Sequence, residues 1–115
     1  MPDATGAATG PPHGCALDIR PLTDRSGVRA SGEVGLTTRG QWQGALERLL
    51  QHDGDAYLEL SAVTFVDVAG TSALALTAQR MGADGRRIVI DRPPSSLRRT
   101  LEMFWSDLSA IEVTG

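Results

Sequence analysis

The sequence predicts an α/β fold, a single domain with a mixed, mostly parallel sheet of four to five strands and helices packed on it. Two patterns and one size argument predict it. The stretch from Leu58 to Leu76 reads as a buried strand that runs into Asp67, breaks at Gly70 and continues as an apolar helix. Around it, apolar patterns of period 2 and period 3.6 alternate in the order β-β-α-β-α-β-α-β. Strands joined through helices should lie parallel, with right-handed crossovers. A chain of 115 residues, 41% hydrophobic, fills one two-layer core and leaves no room for a second.

Taken in order, residues 1–14 are small, polar and rich in Gly and Pro, and are expected to form a flexible tail ahead of a domain spanning 15–115. Ala16 to Pro21 alternates as a short edge strand, where a proline is tolerated. Val28 to Leu36 reads as a second strand, interrupted by Gly32 and Gly35. Thr37 or Thr38 caps the next helix, with Trp42, Leu46, Leu49 and Leu50 on its apolar face, and Asp53-Gly54-Asp55 ends it. Ala56 to Val66 is the central strand, with Leu58 and Leu60 on one face and Tyr57, Glu59 and Ser61 on the other. The second helix runs from about Gly70 to Met81 on a Leu74, Ala78, Met81 stripe and stops at Gly82-Ala83-Asp84-Gly85. Arg87 to Asp91 is a fourth strand. After Pro93-Pro94, Ser95 or Ser96 caps a third helix with Leu97, Leu101, Phe104 and Leu108 as its stripe. Trp105, rotated about 100° from Phe104, falls at the core edge or in an interface. Ala110 to Val113 is a last short strand.

Charge and cysteine content exclude several function classes. The net charge is -3 at pH 7, and all eleven basic residues are arginine. That balance argues against nucleic-acid binding, which needs a clustered basic face. Arg86-Arg87, Arg92 and Arg98-Arg99 are offset by Asp91, Glu102, Asp107 and Glu112, five against four, and read as solvated faces. Cys15 is alone, so neither an intramolecular disulfide nor a multi-cysteine metal site is expected. His13 sits in the tail and His52 at a helix end, where it is expected to meet orphan carbonyls; no metal site and no cofactor is predicted. With no membrane-spanning apolar run and no secretory signal pattern, the expected location is the cytoplasm. A homodimer is compatible with the sequence.

The turn after the central strand is the candidate site. Asp67 stands where an N-cap stands, able to accept a hydrogen bond from an early helix amide. Gly70 lets the backbone be approached closely. Leu58, Leu60, Ser61, Phe65, Val66, Asp67 and Gly70 fall in register on a pattern that resembles the signature of the STAS family, the sulfate-transporter and anti-sigma-factor-antagonist domains. The resemblance covers roughly residues 16–115. It implies a non-catalytic interaction module whose partner is an anti-sigma factor or serine-kinase-like protein of a bacterial stress or developmental pathway. The docking residues it implies are Asp67, Val68, Ala69, Gly70, Thr71 and Ser72, joined by the exposed side of the following helix and the Gly32–Thr38 loop. In the antagonist branch the residue before the glycine is a phosphorylatable Ser or Thr. Here it is Ala69, which has no oxygen to phosphorylate, so that switch is closed. Thr71 and Ser72 carry the nearest hydroxyls and are the substitute candidates for phosphorylation.

Two other readings compete. In one, the amides of the Val68–Thr71 turn hold a small anion or nucleotide directly, as a sensor domain of the same family would. In the other, Asp67-Val68-Ala69-Gly70-Thr71 resembles the first motif of haloacid-dehalogenase-type phosphatases. That enzyme reading lacks the second aspartate (Ala69 takes its place) and the lysine that holds the phosphoryl group, and its motif sits past the midpoint of the chain.

Overall fold

A computed structural model of the chain describes residues 16–115. The tail expected over 1–14, together with His13 and Cys15, lies outside the described residues. Five strands form one sheet in the order of the chain: β1 (Leu17–Pro21), β2 (Gly27–Val34), β3 (Ala56–Val66), β4 (Ile88–Asp91) and β5 (Ile111–Thr114). β1 pairs antiparallel with β2, and every later pairing is parallel. The crossovers carry helices α1 (Arg39–Gln51), α2 (Val68–Ala83) and α3 (Ser95–Phe104). Because the parallel strands never reverse their order, right-handed crossovers put all three helices on one face. α2 lies between α1 and α3 and touches both.

Alternation along the strands builds the core against that layer. Ala56, Leu58 and Leu60 of β3 and Ile88 and Ile90 of β4 are fully buried, beside Trp42, Leu49, Leu74, Met81 and Leu97 from the helices. The other face of the sheet shows Tyr57, Glu59, Val89, Asp91, Glu112 and Thr114 along one shallow depression. Arg25 stacks over the Tyr57 ring at 4.5 Å there, and Arg87 pairs with Glu112 at 2.9 Å.

β2 is not interrupted at Gly32 as the sequence suggested; it bulges there and stays paired. Gly32 adopts φ +118, and a Cβ on it would stand 2.1 Å from the Ala16 carbonyl oxygen. Only glycine permits that approach of β1 to β2. The strand ends at Val34, and Leu36–Thr38 forms a 3₁₀ turn ahead of α1.

Three local expectations are corrected. Thr38 occupies the N-cap position of α1, but its hydroxyl does not cap. It points back instead, donating to the Glu33 carbonyl at 2.8 Å and accepting from Gly35 N at 3.0 Å. Neither Ser95 nor Ser96 is the N-cap of α3; Pro94 is. Ser96 Oγ accepts the amide of Val66 at 3.0 Å and ties α3 to the end of β3. The α3 stripe stops at Leu101: Phe104 is 60% exposed, whereas Trp105 and Leu108 pack on the core. The helix ends at Phe104, and Trp105 has φ -137, ψ 36. A periodicity of 3.6 projected past a helix end no longer reports side-chain direction.

Arg86 also departs from a solvated role. Its guanidinium donates to the carbonyls of Leu49 (3.0 Å), Leu50 (3.3 Å) and Gly54 (2.8 Å), and to that of His52. The orphan carbonyls at the end of α1, expected to meet His52, are thus held by an arginine from beyond α2.

Candidate functional site

The turn between β3 and α2 sits at the C-terminal edge of the parallel strands, where helix N-termini gather in folds of this type. Asp67 is its N-cap, extended at φ -76, ψ 174, and its Oδ1 accepts Gly70 N at 2.7 Å. The Asp67 carbonyl takes both the amide (2.9 Å) and the hydroxyl (3.0 Å) of Thr71. The capping role read from the sequence is therefore present in full.

Three further elements fasten the turn. Asp67 N donates to the Val34 carbonyl of β2 at 3.1 Å. From α1, Arg39 Nη2 reaches Asp67 Oδ2 at 3.2 Å, in a pair whose side chains are 35% and 27% exposed. Trp42, wholly buried, donates its indole N–H to the Gly70 carbonyl at 2.9 Å. α3 contributes the Ser96 bond to Val66 described above. The segment is thus held from β2, α1 and α3 at once.

Gly70 is buried for a steric reason. A Cβ there would lie 2.7 Å from Val34 Cγ1, 3.0 Å from Asp67 Oδ1 and 3.1 Å from Val66 Cγ1. Its function is to let α2 start tight against β2 and β3, a contact made inside the protein.

The candidate residues thus divide. Val68 (59% exposed) and Ala69 face outward at the tip. Asp67 and Ser72 are half-buried, and Gly70 and Thr71 are buried. Thr71 is fully enclosed with its hydroxyl bonded inward, so of the two candidate residues only Ser72 is partly exposed. Leu36, 81% exposed, stands on the 3₁₀ turn between the Val34 and Arg39 contacts to Asp67. Phe65, 46% exposed, is paired in register with Glu33 at the end of the sheet.

Sequence reading missed Arg39 and the part Trp42 plays in the turn, while Leu36 lies in the Gly32–Thr38 loop that the resemblance had included. Arg39 carried no reading of its own, and Trp42 read only as part of the apolar face of α1, where it is indeed buried. Both hydrogen-bonded partners lie 28 residues away, and no local pattern links them. Among the described residues no group of three His, Cys, Asp or Glu side chains is placed to hold a metal ion, and no helix is long and apolar enough to cross a membrane.

A family model described as "Mlab, STAS domain" matches residues 8–107. No curated protein matches the chain.

Proposed function

The chain belongs to the STAS domain family, and on that basis we propose that it is a non-catalytic interaction module that docks a partner protein through the Asp67–Ser72 turn. The partner is of the anti-sigma-factor or serine-kinase-like kind and would place the chain in the cytoplasm. The observation that carries the reading is the construction of the turn. Its polar groups are tied inward to β2, α1 and α3, while Val68, Ala69 and the neighbouring Leu36 are left facing solvent. A rigid tip with an apolar surface suits a protein contact, because little ordering entropy is lost on binding.

The strand order favours this over the sensor reading. In open α/β sheets, ligands settle in the crevice opened where the strand order reverses. The parallel strands here never reverse. Phosphorylation at position 69 plays no part, and the enclosed Thr71 hydroxyl is not a substitute.

The test is affinity capture from the native lysate with three baits: wild type, Ala69→Glu and Ala69→Arg. Ala69 is exposed, so both variants should melt within about 1 kcal/mol of wild type. Either bulky side chain, whatever its sign, should strip off a partner seated on the tip. If all three baits retain the same proteins, the turn is not the docking surface. A rise in melting temperature with a nucleotide or small anion would then favour the sensor.

A further inference from the structure

The hydrogen bonds around the tip bear on the chemistry of what docks there. Each oxygen of the Asp67 carboxylate already holds a donor, Gly70 N on Oδ1 and Arg39 on Oδ2. Arg39 is less fully engaged. It spends one nitrogen on Asp67, stays 35% exposed, and among the described residues makes no other side-chain hydrogen bond. Asp67 thus has two of its roughly four acceptor positions filled, whereas Arg39 uses one of five N–H donors, so most of the unused bonding capacity at the tip lies on the cation. A partner offering lysine or arginine would be repelled by Arg39 and would compete with it for Asp67. A partner offering a carboxylate meets the free side of a planar guanidinium suited to forked, charge-assisted bonds. Apolar surface flanks this group, with Leu36 three residues before Arg39 and Val68 directly after Asp67, both more than half exposed.

Resting on the docking reading above, we propose that the partner segment seated here is acidic and apolar. It places a carboxylate on Arg39 and aliphatic side chains against Leu36 and Val68. Arg39 then belongs to the docking surface, and the Arg39–Asp67 pair selects for the sign of the partner's charge.

The test uses three short peptides with the same leucine spacing and Glu, Gln or Lys at the remaining positions. They are titrated into the nitrogen-15-labelled 115-residue chain while the amides of residues 36–39 and 68–72 are followed. The Glu peptide should shift these amides and bind about tenfold or more tightly than the other two. Its affinity should fall as salt rises from about 50 to 300 mM. Arg39→Gln should abolish the preference for Glu and Arg39→Lys should keep most of it, with unchanged spectra elsewhere showing that both variants fold. A Lys peptide that binds as well as the Glu peptide, or no shift at these amides with any peptide, overturns the proposal. If the Ala69 baits lose a partner while the Lys peptide binds better, docking stands and the acidic chemistry is wrong. If the Ala69 substitutions change nothing, both readings fall together.

Discussion

Asp67 serves two helices with one carboxylate, capping α2 through Oδ1 and pairing through Oδ2 with the first residue of α1. A basic side chain at a helix N-terminus opposes the macrodipole, and the nearby carboxylate offsets that cost for Arg39. The cap was legible in the sequence because capping is local, three residues from acid to amide. The ion pair was not, because nothing along the chain links position 39 to position 67. Gly70 shows the same division: its presence in the turn was evident, but the contact requiring it was not. Gly70→Ala should gain about 1 kcal/mol in helix propensity and lose about 1–3 kcal/mol to the clash with Val34 and Val66. A net loss is expected, read as a lower urea midpoint; a midpoint equal to or above wild type would refute the steric account.

At the scale of elements, helix ends departed from expectation while helix bodies did not. The Leu74, Ala78, Met81 stripe of α2 is buried as its spacing predicted. The end of α1, by contrast, depends on Arg86, which follows α2 in sequence. Arg86→Ala should cost about 1–3 kcal/mol and speed hydrogen exchange near the C-terminal end of α1. Arg86→Lys should recover little, since an ammonium cannot span carbonyls that a fork reaches. Slow exchange there in Arg86→Ala would show that the clamp is unimportant. The end of α3 yields a paired prediction from the exchanged roles of Phe104 and Trp105. Phe104→Ala should lie within about 0.5 kcal/mol of wild type, and Trp105→Ala should cost about 2 kcal/mol or more. Thermal melts in the opposite order would restore the original stripe.

At the scale of the molecule, one buried cluster draws on every strand from β1 to β4 and on all three helices, and β5 packs at its margin through Ile111. Such a core should unfold as a unit. Tryptophan fluorescence, from Trp42 beneath the turn and Trp105 beside α3, should trace the same transition as far-UV circular dichroism. Separated midpoints would mean that the α3–β5 end melts independently of the turn. The same unity makes the tip rigid, because β2, α1 and α3 each hold the segment from Val66 to Gly70.

The sequence by itself determined the element order, the limits of β3, the parallel sheet, the family resemblance and the cap at Asp67. Each depends on periodicity or on contacts a few residues apart, which a linear pattern records. Tertiary structure alone decided that Arg39 and Trp42 hold the turn, that Arg86 closes α1, and that Ser96 bonds to β3 instead of capping its own helix. It also decided that Thr71 is enclosed while Val68 and Ala69 are exposed. Those outcomes depend on which distant groups the sheet brings within hydrogen-bonding distance, and a polar side chain takes the best partner that packing offers it, however far along the chain that partner lies.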